Sequence, residues 1–135
     1  MTRYVIDAPT LLHLVDQRMP VHPDRQLLAP NSVRSEAMNL LLGQVQSGTR
    51  SEAEALERHE RMTEIKMRLL GDRVSRRTAW QIAREHRWED LHQAEYLAVT
   101  RLQADALITV DPDLAAKAEN VVRVGSLKDL IKADQ

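Results

Sequence analysis

With 135 residues, 43% of them apolar, and no cysteine, the chain is sized for one domain over residues 1–135 with a core of ordinary dimensions, and disulfides, thiolate metal sites and a cysteine nucleophile are excluded. The net charge of -1 hides an uneven distribution: residues 58–87 hold nine Lys or Arg against four acids, so a near-neutral total does not argue against a polyanionic partner. The apolar stretches are far shorter than a membrane span and the N-terminus lacks a signal-peptide pattern, so a soluble, cytoplasmic protein is expected.

Residues 3–7 read as a buried strand ending on Asp7, followed by a helix in "APTLLHLVDQ" with Pro9 in its first turn and Leu11, Leu12, Leu14 and Val15 as its apolar stripe. "RMPVHPDR" is a loop held open by two prolines, and "LLAP" is a very short strand. "NSVRSEAMNLLLGQVQSG" reads as a helix capped by Asn31 or Ser32, with Val33, Ala37, Leu40, Leu41 and Val45 on one face together with Glu36. Residues 51–71 open on Ser51 and Glu54 in capping-box spacing and predict one long amphipathic helix. Two more helices are expected in "SRRTAWQIAREH" and "WEDLHQAEYLAVTRLQA". After them come a strand in "ALITV", a helix started by Pro112, a last strand in "NVVRV" and a last helix over residues 126–133 capped by Ser126. Strands separated by helices call for an α/β fold with a central parallel sheet covered on both faces.

In such a sheet the ligand crevice lies outside the carboxyl ends of the strands. Asp7 and Asp111 each follow a predicted strand, and Glu36 joins them from a helix face that Val33 and Leu40 mark as inward. A partly buried carboxylate is costly unless paired or metal-bound. Three converging carboxylates with no buried Lys or Arg in the same segments suit a hard cation, Mg²⁺ or Mn²⁺. Each acid also has a plainer role open to it: Asp7 and Asp111 suit helix caps, and Glu36 suits an ion pair with Arg34 or a distant Arg. The five histidines show no metal-ligand spacing with one another, and Trp80 and Trp88 read as packing residues rather than base-stacking ones.

These residues resemble the PIN-domain family and, within it, the VapC-type toxins of bacterial toxin–antitoxin pairs. "YVIDAPTLLHLV" is similar to the family's opening strand, acid and helix, and "LLAPNSVRSEAMNLLL" to its short strand and the helix with the second acid, Glu36. "QAEYLAVTRLQADALITVDPDLA" is similar to its closing block, where a Thr-x-Asp strand end supplies the last acid, Asp111. The chain departs from the pattern at Gln93, where the family usually carries a further acid, and at Pro9, where a hydroxyl often follows the first acid. Asp90 and Asp113 are the nearby acids available to compensate. The resemblance implies a three-layer α/β/α fold and a Mg²⁺- or Mn²⁺-dependent endoribonuclease of toxin–antitoxin type. Asp7, Glu36 and Asp111 are then both the metal and the catalytic residues, and the basic stretch supplies phosphate contacts. It further implies an antitoxin partner and a homodimer, for which residues 51–85 offer surplus apolar positions. The alternative is a PIN scaffold weakened at Gln93 that acts by binding RNA or protein.

Overall fold

Four strands and seven helices alternate along residues 1–131, the part of the chain that the computed structural model describes. In order they are β1 (Thr2–Ile6), α1 (Ala8–Asp16), β2 (Arg25–Pro30), α2 (Val33–Gln46), α3 (Glu52–Glu64), β3 (Arg68–Leu70), α4 (Arg73–His86), α5 (His92–Gln103), β4 (Ala106–Ile108), α6 (Pro112–Ala118) and α7 (Lys128–Ile131). The strands form one sheet in the order β3-β2-β1-β4, and every pairing is parallel, with Val5 facing Leu28 on one side and Leu107 on the other. Val5, Ile6, Leu28, Leu107 and Ile108 are wholly buried. Such unbroken apolar runs, rather than alternating ones, are what a sheet covered on both faces demands.

Topology distributes the helices. β1 to β2 to β3 steps one way across the sheet, and β3 to β4 runs back past all of them. With right-handed crossovers, α1, α2 and α3 fall on one face and α4 and α5 on the other. The packing agrees, since α1 lies against α2 and α3, while α5 lies against β1, β2 and β4 and carries α4. Asp16 at the end of α1 ties that layer together, accepting hydrogen bonds from Arg50 at 2.8 and 3.0 Å and from Arg58 at 2.8 Å. Partial burial raises the Asp16 carboxyl, but the two guanidiniums outweigh it and leave the group below the usual carboxylate range. The order in which strands are added across the sheet reverses between β1 and β4, so a crevice is expected at their carboxyl ends.

Several elements differ from the sequence reading. The single helix expected over residues 51–71 ends at Glu64, and Arg68–Leu70 form the edge strand β3 on β2. Leu28–Pro30 have backbone groups that need a partner on that side, and tertiary pairing overrides a helical pattern that reads well by itself. The strand expected in "NVVRV" reduces to an isolated bridge between Leu107 and Val124. The N–H groups of Val121 and Val122 both turn back to the Ala118 carbonyl at the end of α6, which leaves only the end of the segment to pair. α2 starts without a side-chain cap from Ser32, and α4 starts at Arg73 behind a reciprocal Asp72–Ser75 capping box. α5 begins only at His92, so Asp90 precedes the helix and accepts the His92 N–H at 3.0 Å. Trp80, read as a packing residue, is 59% exposed, and Leu40 is 38% exposed. Of the last expected helix, Lys128–Ile131 is helical and residues 132 and 133 lie outside the described residues.

Candidate active site

The cleft at the carboxyl ends of β1 and β4 has a volume of about 170 Å³ and is lined by Asp7, Glu36, His92, Gln93, Tyr96 and Asp111 among others. All three acids singled out from the sequence therefore face one space, and among the described residues no Lys or Arg lines it. A larger cavity, about 740 Å³, lies at the opposite ends of the strands beside Met19, Leu27, Ile65 and Met67, and none of these acids lines it.

Asp7 is the deepest of the three, with 3% of its surface exposed. It caps α1, one carboxylate oxygen accepting the Thr10 N–H at 3.2 Å and the Thr10 hydroxyl, while the other accepts the Thr109 hydroxyl at 2.7 Å. The hydroxyl that the family resemblance leads one to expect two residues after the acid is here supplied from three residues on, by Thr10. Each threonine then reaches the β4 loop: Thr10 Oγ1 accepts the Val110 N–H, and Thr109 Oγ1 accepts the Asp111 N–H, both at 3.0 Å. These bridges set the ends of β1 and β4 side by side. Burial pushes the Asp7 carboxyl above its ordinary pKa, and the hydrogen bonds from Thr10 and Thr109 pull it back only in part. No cation is among its hydrogen-bond partners or these causes.

Glu36 stands in the first turn of α2 with a quarter of its side chain exposed. The ion pair with an arginine that was open to it does not form; it accepts the Tyr96 hydroxyl on one oxygen and meets His92 Nδ1 at 3.1 Å on the other. Tyr96 is buried, and burial together with Glu36 keeps its phenol protonated far above the ordinary range. His92 and Tyr96 are one turn apart on α5 and both reach the same carboxylate. His92, its side chain mostly exposed, is a surface hydrogen-bonding residue as its lack of metal-ligand spacing suggests, and its place one turn before Tyr96 brings it to Glu36.

Asp111 caps α6, accepting the Asp113 N–H at 3.0 Å. The cap role that was open to Asp7 and Asp111 is therefore real for both, and it leaves carboxylate lone pairs facing the cleft residues. Gln93, at the position of the missing acid, donates from Nε2 to Asp113 at 3.2 Å and accepts from Lys117 Nζ at 2.8 Å. Lys117 also stands 3.4 Å from the Asp113 carboxylate, which Gln93 and then Lys117 hold below the usual range. Of the two acids named as substitutes, Asp113 is committed to this network and Asp90 accepts the His92 N–H ahead of α5.

As a donor set, three carboxylates without a lining cation suit a hard divalent ion. Among the described residues, however, no three His, Asp or Glu side chains stand close enough together to share one ion as they are now oriented. Of the basic stretch, Arg58 and Arg61 are engaged in ion pairs with Asp16, Glu54 and Glu57. Arg73, Arg76, Arg77 and Arg84 on α4 are exposed. No helix among the described residues is long and apolar enough to cross a membrane.

The fold is similar to two solved structures. PAE2754 from Pyrobaculum aerophilum aligns over 96% of this chain and 93% of its own, with a TM-score of 0.71 and 21% identity. VapBC-1 from nontypeable Haemophilus influenzae aligns over 93% of this chain and 98% of its own, with a TM-score of 0.63 and 13% identity. No family model matches the chain, and no curated protein matches it by sequence. The PIN-like α/β fold expected from the sequence is the fold this chain adopts.

Proposed function

We propose that the chain is a metal-dependent endoribonuclease of toxin–antitoxin type, with Asp7, Glu36 and Asp111 holding one Mg²⁺ or Mn²⁺. The observation that carries this reading is the buried carboxylate of Asp7, which faces a cleft with Glu36 and Asp111 that no Lys or Arg among the described residues lines. A buried carboxylate without a counter-charge is a standing cost unless a ligand relieves it. When bound, the cation lowers the pKa of a water and neutralises charge on the phosphate. The chain's own contribution is positional. Thr10 and Thr109 fix the Asp7 carboxylate, Tyr96 and His92 orient Glu36, and the α6 cap fixes Asp111.

RNA suits this reading because Arg73, Arg76, Arg77 and Arg84 are exposed on α4, and exposed arginines make sequence-independent phosphate contacts. The fold shared with VapBC-1 supports an antitoxin as partner, one that inserts a basic side chain beside the three acids. A homodimer is supported less by residues 51–71, whose Met62 is buried and whose Ile65, Met67, Leu69 and Leu70 pack on the core, than by Val74 and Trp80 exposed on α4.

The test is digestion of single-stranded RNA with and without Mn²⁺, run beside Asp7→Asn. Cleavage that requires Mn²⁺ and disappears in the variant supports the reading. A second reading, a PIN scaffold that binds without cutting, is favoured by Gln93 and by the absence of a ready three-ligand cluster among the described residues. RNA binding without cleavage in saturating Mn²⁺ selects it.

A further inference from the structure

Lys117 lies outside the acids yet is held against the cleft. Its ammonium donates to Gln93 Oε1 at 2.8 Å, and Gln93 lines the cleft. The same ammonium stands 3.4 Å from the Asp113 carboxylate and 5.6 Å from the centre of the Trp88 ring. A lysine normally spends its freedom on solvent. Here an amide, a carboxylate and an aromatic face fix the ammonium, while 37% of the side chain remains open to solvent. Gln93 takes one of its three N–H donors and Asp113 stands at ion-pairing distance, which leaves donor capacity for an incoming acceptor. The glutamine is what makes this possible in charge terms. An acid at position 93 would add a second carboxylate to that of Asp113 and close the ammonium into a double ion pair, whereas a neutral amide orients it and leaves its charge only partly offset, by Asp113 alone.

Resting on the nuclease reading above, we propose that Lys117 is a substrate-contacting residue: a fixed protein cation that binds an RNA phosphate at the rim of the acidic cleft. Charge explains the need. The acids that would hold a divalent ion also repel a polyanion, and among the described residues no Lys or Arg lines the cleft itself. A cation tethered to Gln93 offsets that repulsion from one side and sets the direction from which the strand enters.

The proposal separates two affinities that a purely structural lysine would move together. Removing the ammonium weakens RNA, which loses a phosphate contact, and strengthens Mn²⁺, which loses a like-charged neighbour. The experiment uses the full chain and Lys117→Met, which keeps the stem over Trp88, together with Lys117→Arg and Lys128→Met as controls. Lys128 is exposed on α7, whose neighbouring backbone carbonyls accept from His22 and Arg25 beside the start of β2, far from the cleft. Binding of a short fluorescent single-stranded RNA is measured in EDTA over a series of salt concentrations, and Mn²⁺ binding by calorimetry without RNA. Lys117→Met is expected to weaken RNA binding about 3- to 10-fold at low salt and to flatten the dependence of log affinity on log salt by roughly 0.7, the share of one phosphate on a single strand. Mn²⁺ binding should tighten several-fold, Lys117→Arg should keep the wild-type slope, and Lys128→Met should change neither. An unchanged slope in Lys117→Met, an equal loss in Lys128→Met, or a fall in both RNA and Mn²⁺ affinity overturns the proposal while leaving the nuclease reading intact. Wild-type protein that binds no RNA overturns both.

Discussion

Asp7→Asn is the substitution that most directly separates a structural acid from one reserved for a ligand. Asn caps a helix about as well as Asp, so the bond to the Thr10 N–H survives. What changes is the charge and one acceptor, since the amide has a single oxygen and its Nδ2 donates to the Thr109 hydroxyl where the carboxylate accepted from it. Placing an ionised carboxylate in the interior costs several kcal/mol even after relaxation. Against that, hydrogen bonds to a charged acceptor return about 1.5–3 kcal/mol each, and Asp7 receives them from the Thr10 hydroxyl, the Thr10 N–H and the Thr109 hydroxyl. The two terms nearly cancel, and the raised pKa gives the sign of the remainder: the ionised form is disfavoured in the folded state. A carboxyl whose folded pKa is raised adds stability below its unfolded pKa and loses it as pH rises through the folded value. The penalty grows as pH rises, so toward neutral pH Asn should stabilise the metal-free protein by about 1 kcal/mol, or roughly 3–6 °C in melting temperature. Toward pH 4 the wild-type acid takes up its proton and the advantage should shrink toward zero. Adding Mn²⁺ should reverse the order at neutral pH, raising the wild-type melting temperature and leaving the variant nearly unmoved. Thermal melting followed by circular dichroism at both pH values, in EDTA and in Mn²⁺, tests all of this together. If the variant is less stable by the same margin at both pH values and Mn²⁺ shifts neither protein, Asp7 is a cap and nothing more.

Gln93→Asp should tighten Mn²⁺ binding, but Lys117 would pair with the new carboxylate, so the gain should lie near 1 kcal/mol, about fivefold, with metal-free stability lowered by crowding against Asp111 and Asp113. Calorimetry showing equal Mn²⁺ affinity in both proteins would place Gln93 outside the metal's reach. Tyr96→Phe removes the hydroxyl from Glu36 without opening a cavity, and with a quarter of Glu36 exposed to water the loss should be about 1 kcal/mol in urea unfolding; no loss would mean that Glu36 does not depend on that donor. Trp80→Arg should convert a dimer to a monomer in sedimentation while changing the unfolding free energy by no more than about 0.5 kcal/mol, since Trp80 is largely exposed. A wild-type monomer at micromolar concentration ends the dimer proposal.

How far the sequence alone reached depended on whether a signal was local. "RYVID" followed by Pro9 carries a buried apolar run, a cap and a helix start within one short stretch, and β1, Asp7 and α1 were legible from it. Asp111 before Pro112 was legible for the same reason, and the alternation of strand and helix was enough to require a parallel sheet. Residues 68–70 were misread because a short apolar run fits a helix stripe and an edge strand equally well, and only the open side of β2 decides between them. The segment after α6 failed as a strand because the end of that helix captures its N–H groups, a contest that composition does not reveal. At the site, residue types named the acids, and tertiary structure chose their partners. Thr109 reaches Asp7 across 102 positions, Tyr96 reaches Glu36 across 60 and Lys117 reaches Gln93 across 24. Hydrogen bonds act over about 3 Å, so no pattern along the chain encodes which hydroxyl or ammonium arrives. That choice belongs to the order β3-β2-β1-β4, which brings the ends of β1 and β4 together.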